Sequence, residues 1–284
     1  MKQPGYVNQG TIHQYLNYLR EEERSGLTIQ KYSRDITRFL DFSQRRLDKS
    51  TLLEWKSRLI ADGYAPQTVN SMLAAVNGLL EYLGRAGEKV KPVKCQRAIF
   101  REKERELTKA EYLRLLDTAQ RQGNRRLLLV METLCATGIR ISELKYITVQ
   151  SAQAGQALVN CKGKCRVILI PRKLCRQLLR WAKNNKTVTG PVFQTCGGKP
   201  VDRSNIWREM KRLCGAANVN PRKVFPHNLR HLFAVVFYAA KKDIAKLADV
   251  LGHANINTTR IYIMETGAEH ERQLARLGLL LSEK

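Results

Sequence analysis

Between residues 11 and 84, apolar side chains recur every three to four positions in four consecutive runs. That spacing places one apolar stripe on each of four helices and does not match the two-residue alternation of a half-buried strand. TIHQYLNYLREEE carries Ile12, Tyr15, Leu16 and Leu19, and TIQKYSRDITRFLDF carries Ile29, Tyr32, Ile36, Phe39 and Leu40. A third run has Leu52, Trp55 and Leu59; a fourth, after the turn-like DGYAP, has Val69, Met72, Leu73, Val76 and Leu80. Thr11 and Gln14 have capping-box spacing, and Ser50 and Thr68 are placed to cap the third and fourth helices. Short amphipathic helices bury their stripes only against one another, so residues 1–87 are expected to form one small all-α domain.

The chain has 284 residues, a length that favours two domains. Its 50 Lys and Arg against 25 Asp and Glu leave a formal charge of +25. Such an excess favours a polyanionic partner, because each neutralised phosphate releases condensed counterions. Nucleic acid leads and an anionic membrane surface comes second. No apolar run approaches the roughly 20 residues that span a bilayer, and the first residues, MKQPGYVNQG, lack a signal-peptide core. A cytoplasmic location is therefore expected. The seven cysteines have irregular spacing and suggest no disulfide framework, and Cys161 and Cys165 supply only half a zinc site.

Residues 88–106 are highly charged, contain Pro92 and show no period, which reads as a basic interdomain linker. Either a solvated tether or a strap along a nucleic-acid backbone fits that composition. A second domain, 107–284, opens at LTKAEYLRLLDTA, where Thr108 and Glu111 form a capping box. A helical pattern continues through RRLLLVMETLCATG. QALVN and CRVILIP then read as a β-hairpin around KGK, and PVFQ as a short extended piece. The fold class is mainly α with a small antiparallel sheet in the second domain.

The chemistry points away from nucleotides and metals. GGK at 197–199 lacks the rest of a phosphate-binding loop, and no carboxylate cluster is suited to two magnesium ions. In PHNLRHLFA, His227 and Arg230 share a helix face, where the guanidinium can grip a phosphate and the imidazole can move a proton. His231 falls next to that face and is assigned to packing. In CATGIRISEL, Gly138 can turn the chain sharply and set Arg140 at a helix start, with pairing to Glu143 as the plain alternative. Lys162 and Lys164 occupy the hairpin turn. His253 follows Leu251-Gly252, and Thr258 or Thr259 is placed to cap a helix bearing Tyr262, otherwise a half-buried aromatic.

The ordered set Arg, Lys, His-x-x-Arg, His, Tyr, carried by ATGIRISEL, CKGKCRVILIP, PHNLRHLFA and LGHANINTTRIYI, resembles the tyrosine site-specific recombinases of the phage-integrase family. The Xer-type and mobile-element integrases are the most similar. The resemblance implies a helical core-binding, SAM-like DNA-binding domain over 1–87 and a catalytic domain over 107–284, together a C-shaped clamp on DNA. It implies that Tyr262 is the nucleophile, that Arg140 and Arg230 clamp the scissile phosphate, and that Lys162 protonates the leaving oxygen, with Lys164 the alternative. His227 would assist proton transfer at the tyrosine, and His253 would hydrogen-bond the phosphate. No metal or other cofactor is implied. The implied partners are double-stranded recombination sites, further copies of the chain in a tetramer on DNA through the leucine-bearing tail 265–284, and accessory recombination proteins. The implied reaction is integration, excision or resolution through a 3′-phosphotyrosyl intermediate. A topoisomerase-like nicking and resealing activity and a catalytically silent DNA-binding regulator are the alternatives. Whether the chain serves a mobile element or resolves chromosome or plasmid dimers stays open.

Overall fold

The computed structural model describes residues 6–94, 105–161, 164–195 and 197–263. The chain divides into two compact units, residues 1–97 and 98–284.

The first unit is four helices: α1 (Gln9–Glu21), α2 (Gly26–Phe42), α3 (Lys49–Ala61) and α4 (Pro66–Tyr82). The expected stripes meet in one core, where Ile36, Phe39, Leu52, Val69, Val76 and Leu80 are fully buried. Phe39 and Trp55 meet nearly edge-on, with ring centroids 5.2 Å apart. The helix starts differ from expectation. Asn8, not Thr11, caps α1, and its side chain accepts the Thr11 N–H at 2.8 Å. Asp48, not Ser50, caps α3; it accepts from Thr51 N–H, and Ser50 donates its hydroxyl to the same carboxylate. An ionised carboxylate is the stronger acceptor for the N–H dipoles of a helix start. α4 begins at Pro66 with no side-chain cap, because the residue before it, Ala65, carries no acceptor; Thr68 lies inside the helix.

The start of the charged stretch is held to this unit. Asn77 donates to the Val90 carbonyl at 2.9 Å and accepts the Val90 N–H at 3.0 Å. Asn70 does the same for Val93, at 3.0 and 2.7 Å. Two asparagines thus act as strand partners for an extended segment along α4.

The second unit is built around α6 (Arg125–Thr137), which is buried on nearly all sides from Leu127 to Leu134. The other elements are α5 (Lys109–Arg121), α7 (Val149–Ala154), β1 (Gln156–Cys161), β2 (Lys164–Leu169), α8 (Arg172–Asn184) and α9 (Arg203–Leu213). They are followed by α10 (Pro226–Lys241), α11 (Ile244–Leu251) and α12 (Ile256–Arg260). The capping box expected at Thr108 and Glu111 is present. β1 and β2 pair antiparallel from Gln156↔Leu169 to Cys161↔Lys164. Alternation sends Ala157, Val159 and Ile168 to the core and leaves Leu158, Val167 and Leu169 exposed. PVFQ forms no strand; Pro191 and Gln194 each make an isolated bridge, to Thr148 and Pro200. Among the described residues, no helix is long and apolar enough to cross a membrane.

Candidate active site

Three chain reversals in the second unit bring the predicted site residues together. The first is at the end of α6, where Gly138 takes a left-handed conformation, φ +64°. Any Cβ there would fall 2.4 Å from the Phe233 ring, so α10 packs against the bare glycine backbone. Two residues on, Arg140 opens a 3₁₀ turn, Ile141–Tyr146. Glu143 reaches back within this turn, accepting the Arg140 N–H at 2.8 Å and Arg140 Nη1 at 3.0 Å. Glu143 is buried at 1% exposure, whereas the Arg140 side chain stays 45% exposed. Burial by itself raises the Glu143 pKa, but the Arg140 N–H, Arg166 and the Arg140 guanidinium outweigh it and hold the group below the usual carboxylate value. Glu143 is therefore an anion that holds both the Arg140 N–H and one edge of its guanidinium, whose side chain otherwise stays open to solvent.

The second reversal leads into α10. Pro226 stands at its first position, and the Asn228 side chain fastens this start by donating to the Lys223 and Arg105 carbonyls at 2.7 Å each. Arg230 is 2% exposed. Its Nη1 donates to the Gly138 carbonyl at 2.6 Å, and its Nη2 to the Leu251 carbonyl and His253 Nε2, each at 2.8 Å. Nε has no hydrogen-bond partner among the described residues. Among the described residues, none of the acceptors of this guanidinium is a carboxylate. Burial and then repulsion from Arg140 lower its pKa to about 10, with the Tyr262 hydroxyl pulling the other way, so it remains a cation at neutral pH.

The third reversal ends α11 at Gly252, φ +66°. His253 follows, with Nδ1 2.8 Å from the buried Thr259 hydroxyl. Because Arg230 only donates, His253 Nε2 must accept, which places the ring hydrogen on Nδ1 and makes Thr259 its acceptor. Burial, then Arg230, Arg140, Arg166 and His227 lower the His253 pKa to about 4, so the ring is neutral. His227 is shifted the same way, by partial desolvation and then by Arg230 and Arg140.

Tyr262 lies in a 3₁₀ turn, Ile261–Ile263, at 5% exposure, packed with Ala234, Leu247 and Leu251. Three imidazoles surround its ring. His253 is stacked at 5.7 Å and 10°, His231 lies at 5.3 Å, and His227 at 5.7 Å. Two expectations change here. α12 is capped by Asn255 rather than by Thr258 or Thr259, and Tyr262 stands just past its end. His231 does not turn away: it lies four residues from His227 on the same helical face and contacts the tyrosine.

The structure thus gathers Arg140, His227, Arg230, His253 and Tyr262. Lys162 lies outside the described residues, as does the tail from 264 onward, and Lys164 is described only as the first residue of β2. Sequence reasoning missed Arg166, whose Nη2 donates to Glu143 at 2.5 Å, and read Thr259 only as a cap. Glu143 was legible from its spacing to Arg140. Arg166 carried no signal, since its partners are 23 and 84 residues away.

A helical unit followed by an α-rich unit that gathers two arginines, histidines and a buried tyrosine is the arrangement of a tyrosine recombinase. The phage integrase family model matches residues 105–269, and that of the phage integrase N-terminal SAM-like domain matches residues 12–87. The chain belongs to the phage integrase family. It is 28% identical over 275 residues to tyrosine recombinase XerD of Halalkalibacterium halodurans, covering 88% of this chain and 91% of the relative. It is 27% identical over 292 residues to tyrosine recombinase XerA of Thermococcus kodakarensis, covering 100% and 99%. Its fold is similar to that of XerH recombinase in a post-cleavage complex with a palindromic difH substrate, at TM-score 0.70, 20% identity and coverage of 95% and 90%. A lambda integrase dimer bound to a COC′ core site gives TM-score 0.71 at 17% identity, covering 92% and 96%.

Proposed function

We propose that the chain recombines DNA at specific sites, cleaving and rejoining strands through a phosphotyrosine at Tyr262. One observation carries the reading: a buried guanidinium, Arg230, lies beside a buried tyrosine and is balanced by carbonyls and a neutral histidine rather than by a carboxylate. A buried cation without a counter-ion is costly and favours an incoming anion. A phosphodiester supplies that anion, and charge developing on its oxygens during attack meets donors already in place.

The phenol oxygen of Tyr262 bonds to phosphorus while the bond to the 5′ oxygen breaks, leaving a 3′-phosphotyrosyl strand and a free 5′ hydroxyl. His227, held neutral by its surroundings, takes the phenolic proton. Lys162, or Lys164 in its place, gives a proton to the departing 5′ oxygen. Arg140 and Arg230 hold the non-bridging oxygens. His253 acts on the phosphate through Arg230 as the site stands; donating to it directly requires the ring hydrogen to move to Nε2. Attack by a 5′ hydroxyl reverses the step with no external energy, because the ester bond is conserved.

The partner is duplex DNA, met by the excess of basic residues. Exchange between two duplexes needs four tyrosines, which sets a tetramer, with the tail 265–284 as its docking element and accessory proteins as further partners.

The test uses nicked suicide duplexes cut from DNA flanking the chain's own gene. The wild-type chain traps a detergent-stable protein–DNA adduct, and Tyr262→Phe forms none. An adduct that persists in Tyr262→Phe removes the nucleophile assignment. A plasmid with two sites then separates strand exchange from nicking and resealing.

A further inference from the structure

Arg166 is a side chain of β2 that leaves its own hairpin. Its Nη2 donates to Glu143, the carboxylate under Arg140, at 2.5 Å, and its Nη1 donates to the Val250 carbonyl at 2.9 Å, two residues before the Gly252 reversal. The stem lies against Gly252, where a Cβ would fall 2.4 Å from Arg166 Cδ and 2.9 Å from Nε. Glycine at 252 therefore serves two needs, the left-handed turn and room for the arginine stem. The side chain is 15% exposed, and its partner Glu143 is 1% exposed.

These contacts join three segments that carry the site: the hairpin whose second strand begins at Lys164, the Arg140 turn, and the α11 end that offers the Leu251 carbonyl to Arg230 and leads into His253. We propose that Arg166 is a positioning residue that holds these three segments in one frame around the phosphate site, without touching the reacting atoms. The proposal rests on the recombinase reading for its effect on rate. A planar fork serves two acceptors in different directions, one charged and one neutral, which a lysine's single nitrogen on a flexible stem does not reproduce.

Arg166→Lys and Arg166→Ala test this in the full-length chain. Both are expected to keep DNA binding in gel shifts yet slow adduct formation on the nicked duplex about 100-fold, the scale of an ångström-sized misplacement. A second readout follows the His253 imidazole in the free protein by nitrogen NMR. That ring faces Arg230, Arg140, Arg166 and His227, stacks on Tyr262 and donates to Thr259. Removing one of its positive neighbours in Arg166→Ala should move its titration midpoint upward, whereas Arg166→Lys keeps the charge and the low midpoint. Loss of rate with the midpoint retained in Arg166→Lys is the signature of lost positioning rather than lost charge. A wild-type rate in Arg166→Lys overturns the proposal, and this variant decides should Arg166→Ala fail to fold. A wild-type chain that forms no adduct sinks the recombinase reading instead. The midpoint in Arg166→Ala then judges only the placement on which the frame depends: a rise sets the Arg166 charge beside the His253 ring, and no change overturns that placement and the frame with it.

Discussion

The two units satisfy their buried charged groups in different ways. In the helical unit, the buried polar side chains among the described residues are Asp35 and Ser43, and both are satisfied from nearby. Asp35 pairs with Lys31, one helical turn earlier, and the Ser43 hydroxyl donates to the Leu40 carbonyl at 3.4 Å. In the second unit, Arg230 finds its partners 92, 21 and 23 residues away, and Glu143 combines Arg140, three residues off, with Arg166, 23 residues off. The first pattern comes with a helix and stabilises what the apolar stripe has already built. The second exists only once several turns have closed, and among the described residues it leaves the Arg230 charge unmatched by a carboxylate. That is the mark of a site kept for a ligand rather than for stability.

The comparison breaks first at the two arginines. Arg140→Ala and Arg230→Ala should each slow adduct formation by about 100- to 1000-fold, the usual cost of losing one preorganised donor. They should part company in denaturant. Arg230→Ala strands the buried Gly138 and Leu251 carbonyls and should lose about 1–3 kcal/mol, while Arg140→Ala, which leaves Glu143 its Arg166 and backbone donors, should lose less. Equal midpoints for the two variants would erase the distinction between a clamp built into the core and one laid on its surface.

In the helical unit the comparable deletion is Phe39→Ala. It removes a fully buried ring packed on Trp55 and should cost about 3–5 kcal/mol in urea unfolding. It should leave the His253 titration untouched. A shifted histidine would mean that the two units share more than a chain.

The smallest effect is a pH slope. His253 has a folded pKa of about 4 against an ordinary 6.5, and His227 is lowered in the same sense. Between those values the unfolded chain binds more protons than the folded one, so stability is complete above about 6.5 and declines as pH falls toward 4. Thermal unfolding from pH 8 to pH 4 should show this decline, and His253→Gln should flatten it. A slope unchanged in His253→Gln would place the proton uptake elsewhere.

Much of the fold was legible because its signal is periodic. The stripes of Ile36, Phe39 and Leu40, or of Val69, Leu73, Val76 and Leu80, name the buried face of each helix without reference to any other. The hairpin was legible as two β-prone runs around KGK, whereas its register came only with the pairing of the two strands. Helix starts were less so, because Asn8 competes with Thr11, Asp48 with Ser50, and Asn255 with Thr258, and which one closes the first turn depends on local geometry. His231 was misjudged by treating adjacency as opposition; a four-residue step from His227 returns to the same face.

Periodicity by itself marked the helical class, the charge excess pointed to a polyanionic partner, and the ordered motifs, through their resemblance to a known family, pointed to Arg140, Lys162, His227, Arg230, His253 and Tyr262, because periodicity and ordered motifs are properties of a line of residues. Tertiary structure alone decided that Arg230 is sealed while Arg140 is open, that His253 is a neutral acceptor, and that Arg166 ties the hairpin to both. Burial, hydrogen-bond direction and charge balance are set by neighbours in space, and for these residues the neighbours lie tens of positions away along the chain.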